Sequence, residues 1–383
     1  MQAPSSNPLL VAYASAGNGH RAAAQALQED LAQRQLPAVM ADVLLFSVPL
    51  FRLMYSQLYG ILGEHAHLPC EAMYRLTDRP REHSSFLRMV EQLSAKNIAP
   101  FLRFVEENAF GGALCTHFLP AGVLAALRQE GRFAGPVGAC VTDYDLHHMW
   151  FHPAMDAYYV GSSTVRHKLM DLGIDASRIH LTGIPVRRAF GRAAAKKIPA
   201  ETPGPLRVLL SGSSVSPGKI LAVLEALDAL DEPLDVTLIA GRHAGLLEKS
   251  FSFSPQNPAL RLTHQGFVQD LERFMAEAHL LITKPGGLTI SEAFAVGIPL
   301  LLYSPIPLQE TQNARYVESQ GAGLSCDDVA LLAETVRRLA RDRKALGTLQ
   351  RRACQLGQPG AASVIAGHLL AQAAEATPEA PSC

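Results

Sequence analysis

No two of the six cysteines stand in a C-x-x-C pair, so neither a zinc site nor a disulfide framework is indicated, and a reducing, cytosolic setting is expected. Neither sign of charge is in excess. The net value is −1 over 383 residues, which excludes a global field that would draw in nucleic acid or repel a membrane. The first residues lack a basic stretch followed by an apolar one, so no export signal is read there. An unbroken membrane-spanning run is also missing, because Pro49, Arg52 and Gln57 interrupt the stretch from Val43 to Leu62. What is present is apolar bulk: 48% hydrophobic residues against 18% charged, enough for sizeable cores and for two or three domains.

Short apolar runs alternate with helical patterns along the chain. "PLLVAYAS", "AVMADVL", "GALCTHF", "PVGACVTD", "DAYYVGS" and "IHLTGIP" read as buried strands in the first half. "LRVLLSGS", "LDVTLIAG", "LRLTHQGF", "LLITKP" and "IPLLLYS" repeat the pattern in the second. Strands that alternate with helices predict parallel sheets covered on both faces. The segment "GRAAAKKIPAETPGP" lacks strand character and reads as a linker. The expected division is therefore 1–198 and 199–372, two doubly wound α/β domains, followed by a disordered tail over 373–383. Ligands of such sheets bind at the carboxyl ends of the strands, and with two domains the site is expected in the cleft between them.

The stretch "ASAGNGHRAAAQAL" places Gly17, Gly19 and Ala22 at the spacing of a dinucleotide fingerprint, with Asp42 at the distance where a ribose-binding acid belongs. An NAD(P)-dependent oxidoreductase is one reading of it. His20 stands at the mouth of the helix that follows. A helix N-terminus disfavours the imidazolium and keeps the ring ready to accept a proton, so His20 is a candidate general base. Asp143, at a strand end in the same half, is the rival base or the group that orients a histidine. His147, His148 and His152 match no metal-ligand spacing, and Trp150 reads as packing. In the second half, "LLSGSSVSPGKI" imitates a P-loop. Its glycines are one residue too far apart, and Ile220 occupies the place of the magnesium-binding hydroxyl, which argues against an NTPase.

The most specific string is "ITKPGGLTISEAFAVGIPLLLYSPIPLQETQNARYVESQGAG", from Ile282 to Gly323. A strand ends at Lys284, Pro285-Gly286-Gly287 turn, and a helix starts near Leu288. Bare N–H groups at that start suit a diphosphate. Glu292, one turn inside, can accept two hydrogen bonds from ribose hydroxyls. Gln309, Glu310 and Asn313 suit sugar hydroxyls. The ordinary alternative is a turn followed by a helix-stabilising Glu.

This string resembles the donor-nucleotide motif of glycosyltransferase family 28, in the branch of the diacylglycerol glucosyltransferases and monogalactosyldiacylglycerol synthases. "GFVQDLERFMAEAHLLITKPGG" extends the likeness upstream. The stretch from Val141 to Phe190, with Thr142-Asp143, His147, Trp150 and Gly183-Ile184-Pro185, is similar to the same branch, as is "SAGNGHRAAAQAL". The resemblance implies the GT-B fold, two Rossmann-like domains facing across a cleft. It also implies an inverting transfer of a hexose, glucose being favoured, from a UDP-sugar to a diacylglycerol-type lipid, giving a β-glycolipid. UDP is then held by Gly286, Gly287, Thr289 and Glu292, with uracil against the backbone of Phe267 and Val268. Ser211, Gly212, Ser213 and Arg242 lie by the diphosphate, and Gln309, Glu310 and Asn313 by the sugar. Gly17, Gly19 and His147 flank the acceptor, with His20 as base. No metal or cofactor is implied, since the UDP-sugar is a co-substrate.

Leu50, Met54 and Leu58 recur at helical spacing near Arg75 and Arg79, which fits contact with an anionic membrane surface or, equally, a helix packed on the core. A lipid acceptor favours the first, and with it a cytoplasmic enzyme peripheral on the inner face of the cell membrane. Nucleic acid is not an expected partner, and no oligomeric state is read from the sequence. A related transferase with a polyprenyl-linked acceptor and a non-catalytic UDP-sugar sensor or scaffold are the further alternatives.

Overall fold

The computed structural model describes residues 7–15, 17–49, 52, 78, 97–212, 215–306 and 309–376. The chain divides into two compact units, 1–187 with 360–383, and 188–359. Each is a parallel six-stranded sheet covered by helices.

The first unit contains β1 (Leu9–Tyr13), α1 (Asn18–Gln33), β2 (Ala38–Asp42), α2 (Ala99–Glu107), β3 (Gly112–Cys115), α3 (Phe118–Gln129), β4 (Val137–Cys140), β5 (Ala157–Val160), α4 (Ser163–Asp171) and β6 (Ile179–Leu181). The strand order is β2-β1-β3-β4-β5-β6. β1, β3, β4 and β5 are buried at every position, so they read as continuous apolar runs rather than alternating ones. Alternation survives in where the side chains go. Leu10 and Ala12 join a core with Phe101, Leu124 and Trp150. Leu9, Val11 and Tyr13 join the opposite one, with Leu27 and Leu31 of α1. Gly138 leaves room for the ring of Tyr159, whose Cε2 would lie 2.7 Å from an added Cβ.

The second unit contains α5 (Arg188–Ala194), β7 (Leu206–Ser211), α6 (Pro217–Asp228), β8 (Leu234–Ile239), α7 (Ala244–Phe251), β9 (Leu260–Gln265), α8 (Leu271–Glu277), β10 (Leu280–Thr283), α9 (Gly287–Val296), β11 (Leu300–Tyr303), α10 (Gln309–Ser319), β12 (Gly323–Cys326), α11 (Val329–Arg341) and α12 (Arg343–Leu356). Its order, β12-β11-β10-β7-β8-β9, is that of the dinucleotide-binding sheet, in which the first and fourth strands lie side by side. β12 is absent from the sequence reading. "GLSC" carries one large apolar residue, and the strand lies at the sheet edge with two half-buried positions. Gly323 belongs there because an added Cβ would lie 2.5 Å from the Leu300 carbonyl oxygen and 2.8 Å from Val317 Cγ1.

The last helix, α13 (Ala361–Ala376), packs in the first unit, where Ile365 and Leu369 complete the core beneath Tyr159. Arg34 Nη2 donates to the carbonyl and hydroxyl oxygens of Ser363, and Arg34 Nε pairs with buried Asp30 at 2.6 Å. The helix continues through Ala376, past the expected start of a disordered tail at 373. The boundary falls after Arg187 rather than after 198, and the chain from Gly360 belongs to the first unit. Composition locates a linker, but it carries no sign that a distant helix will return to cover an apolar face.

Two outcomes are expected. Gly323→Ala should lower stability by roughly 1–3 kcal/mol through overpacking against backbone, read as a fall in the urea midpoint at unchanged slope. His279 supplies the second. Its ring Nδ1 accepts from Arg207 N at 2.9 Å while its backbone N–H donates to Arg207 O at 2.7 Å, so the ring extends the pairing of β7 with β10. Burial, aided by the charges of Arg343, Lys197 and Arg207, pushes its pKa down to about 3. The unfolded ring takes its proton near 6.5, before the folded one, so stability is full above pH 6.5 and falls from there toward pH 3. His279→Gln should flatten that slope in unfolding curves recorded between pH 7 and 4.

Candidate active site

In the first sheet the order reverses between β1 and β3, and the connections leaving these strands open a crevice at their carboxyl ends. Gly17 caps α1 with φ at 107°, a conformation that favours glycine, and no side chain caps the helix start. Gly19 is the second residue of that helix. Asp42 is turned away from any ligand role. Its Oδ1 accepts from Ser15 N and from Leu44 N, both at 3.1 Å, and the residue is buried. The acid that suggested a dinucleotide thus braces the turn after β1.

His20 lies over the ends of β1, β3 and β4. Its Nδ1 is 2.7 Å from the Thr116 carbonyl oxygen and 3.0 Å from Thr142 Oγ1. A carbonyl oxygen can only accept, so in the neutral ring Nδ1 carries the proton and Nε2 keeps the lone pair. Thr116 Oγ1 donates in turn to the His20 carbonyl at 2.8 Å, so one residue holds the histidine at both backbone and ring. The His117 ring stands edge-on at 4.5 Å, and its Nδ1 accepts from Leu119 N to cap α3. Burial lowers the pKa of His20, while the Asp143 charge and the Thr116 carbonyl pull it back up. Burial, with His20 beside it, holds His117 well below the ordinary histidine range, so it brings no competing charge. Asp143 and Thr142 are both buried in the loop after β4.

His147 does something other than face a ligand with its Nδ1, which accepts from Met149 N at 3.1 Å and caps the short turn His148–Trp150. His148 Nδ1 pairs with Asp78 at 3.1 Å, and His152 packs where an added Cβ on Gly122 would meet it. Trp150 is buried edge-to-face against Phe118, as packing. Among the described residues no group of three or more His, Cys, Asp or Glu is arranged to hold a metal.

In the second unit the order reverses between β7 and β10. α9 starts at Gly287 after Gly286, with no side-chain cap, so its first N–H groups are open to an anion. Thr289 is half-buried there, and Glu292 is buried on the same helix. Asn313 is fully buried, and its Nδ2 donates to the Pro285 carbonyl at 3.1 Å, so this amide pins the Pro-Gly-Gly turn. Glu310, in the first turn of α10 next to Gln309, accepts from Ile306 N at 2.6 Å and lies 3.6 Å from Lys284 Nζ. Lys284, read from sequence only as a strand end, is thereby part of the site.

Two further groups stand at the ends of β7 to β9. The Gly212 N–H is occupied by the Ile239 carbonyl at 2.8 Å, and an added Cβ would strike Leu246 at 2.4 Å. The Gly212 N–H is therefore not available to a phosphate. Ser211 is half-buried at the strand end, and Ser213 lies outside the described residues. The Arg242 guanidinium stacks 4.1 Å over the exposed Phe267 ring, beside half-buried Val268. Lys219 Nζ donates at 2.9 Å to Ser304 Oγ, whose residue has φ at 54° just after β11. The residues expected at a membrane, Leu50, Met54, Leu58, Arg75 and Arg79, lie outside the described residues. No helix among the described residues is long and apolar enough to cross a membrane.

Two Rossmann-type sheets, one with a histidine and the other with an open helix start at its switch point, are the architecture of the GT-B fold. Solved structures agree on the fold. MurG of Acinetobacter baumannii superposes with a TM-score of 0.65 at 18% identity over 95% of this chain and 99% of that one. CalG4, the calicheamicin glycosyltransferase, gives 0.57 at 17% identity over 96% and 99%. Residues 20–186 match the family model of monogalactosyldiacylglycerol (MGDG) synthase, and residues 208–365 that of the glycosyltransferase family 28 C-terminal domain. The second unit thus carries a glycosyltransferase family 28 C-terminal domain, and the first a domain of the MGDG synthase type. The processive diacylglycerol beta-glucosyltransferase of Bacillus cytotoxicus is 27% identical over 360 residues, covering 89% of this chain and 88% of that protein.

The tautomer of His20 is testable directly. Nitrogen NMR of the ring should show Nδ1 protonated and Nε2 bare at pH 7, with titration below pH 6.5.

Proposed function

We propose that this enzyme is an inverting hexosyltransferase that moves glucose from UDP-glucose to the hydroxyl of a diacylglycerol-type lipid, forming a β-glycolipid. The observation that carries the reading is the position of the family 28 donor string. "KPGGLTISE" falls on the open helix start at the switch point of a dinucleotide-type sheet. Diacylglycerol, the lipid for which the relatives are named, supports the acceptor.

In this reading the first N–H groups of α9 face the diphosphate and Glu292 takes the ribose hydroxyls. Phe267 and Val268 lie by the uracil, with Arg242 beside them. Gln309 and Glu310 serve the hexose, and Asn313 serves it indirectly by fixing the turn at Pro285. His20 is the base. The acceptor oxygen attacks the anomeric carbon as the bond to the phosphate oxygen breaks, and that electron pair leaves with UDP. The acceptor proton passes to Nε2, the nitrogen that the Thr116 carbonyl leaves free to accept. The resulting imidazolium is favoured by Asp143, which acts as its charge partner rather than as the base. Fixed dipoles and hydrogen bonds stabilise the leaving group without a metal. A lipid acceptor places the enzyme peripherally on a membrane, on its inner face where nucleotide sugars are made. Leu45 and Val48, exposed ahead of the segment that includes Leu50, Met54 and Leu58, support an approach to the bilayer there.

The test is mass spectrometry of lipids after incubation with liposomes containing diacylglycerol and with UDP-glucose and UDP-galactose in competition. Hexosyl-diacylglycerol carrying glucose is expected. His20→Ala should lower kcat by about 10²- to 10⁴-fold while UDP still binds. A product on a polyprenyl-linked lipid alone, or unchanged turnover in His20→Ala, would overturn the assignment.

A further inference from the structure

We propose that Lys284 is the cation that receives the donor's diphosphate, and that it does so by exchanging its contact with Glu310 for the phosphate. This rests on the reading of the second unit as the UDP-sugar site.

Lys284 follows β10 and has only 10% of its side chain exposed. An ammonium carries three donors. Its one ion pair among the described residues is to Glu310 Oε2 at 3.6 Å, beyond the range of an N–H···O hydrogen bond. That carboxylate oxygen already accepts from Ile306 N at 2.6 Å. The contact is therefore Coulombic, and among the described residues no hydrogen bond satisfies the ammonium. A nearly buried charge with its donors unused is costly unless something arrives to take them.

An independent feature calls for the same arrival. Three residues further on, α9 begins with no side-chain cap, and its N–H groups leave room for oxygen ligands. Gly286 N donates back to the Lys284 carbonyl at 2.9 Å, which ties the lysine backbone to that helix start. Asn313 holds Pro285 between them. A fixed ammonium and a fixed set of N–H groups, joined through one turn, suit an anion with two charged centres, as in a nucleoside diphosphate. A monophosphate would use fewer of these donors, and a nucleoside none. During transfer the departing diphosphate gains the electron pair of the broken C–O bond, and an ammonium in a water-poor site stabilises it there. Glu310 keeps the Ile306 N–H when Lys284 turns to phosphate, so the loop before α10 stays in place.

The experiment is calorimetry of UDP, UMP and uridine binding to the whole protein and to Lys284→Met, Lys284→Arg and Glu310→Gln. Lys284→Met should weaken UDP by about ten- to hundredfold, weaken UMP less, and leave uridine unchanged. Lys284→Arg should recover part of the loss. Glu310→Gln, which removes the competing charge, should leave UDP affinity equal or tighter. Equal weakening of UDP and uridine by Lys284→Met would mark a structural role and overturn the proposal. So would unchanged UDP affinity. Failure of the unaltered protein to bind UDP would overturn the nucleotide reading itself, and with it this one.

Discussion

Parallel strands all end on the same edge of their sheet, and this constraint governs everything else in the chain. Wherever the strand order reverses, neighbouring connections turn to opposite faces and leave a gap at that edge. Each sheet has one such gap, at β1/β3 in the first unit and at β7/β10 in the second. A residue placed just beyond these strands reaches the gap without a long loop to carry it. His20, Thr116 and Thr142 meet because they follow neighbouring strands, although 122 positions separate the first from the last. Lys284 and Glu310 meet for the same reason.

The two gaps are furnished differently. In the first the decisive contacts are neutral. A backbone carbonyl and two hydroxyls fix the histidine, and the charge of Asp143 acts on its basicity. A carbonyl is a reliable partner because it cannot be protonated in the working pH range, so it enforces one tautomer throughout. In the second gap the furnishings are charges and oriented N–H groups. That division suits a proton-accepting task on one sheet and an anion-holding task on the other.

Much of this was legible in the sequence, because buried parallel strands announce themselves as apolar runs. Each run read as a strand forms one, and the helix starts at Asn18 and Gly287 fall where glycine turns place them. Legibility ended where a residue's role depends on a partner far along the chain. Asp42 sits at the spacing of a ribose ligand yet serves Ser15 and Leu44. Asn313 carries the chemistry of a sugar contact, and the structure adds a second task, since its Nδ2 holds the Pro285 carbonyl. Gly212 looks like a phosphate-loop glycine, but its N–H is taken by the Ile239 carbonyl. Thr116 and His117 follow the buried run in "GALCTHF", and polar residues directly after a buried strand are the signal that marks them. β12 escaped because an edge strand with one buried face needs little apolar character.

The first unit is discontinuous in the chain: its opening segment and α13 are separated by the whole of the second unit. Ile365 and Leu369, which close the core over β1, β4 and β5, leave the ribosome after nearly every other element. During synthesis, then, the second unit has all its strands and helices available first, whereas the sheet that carries His20 waits with one apolar face covered by α1 but not yet by α13. Vectorial synthesis would complete the histidine-bearing unit last, so this fold makes the proton-accepting half the final part of the enzyme to mature.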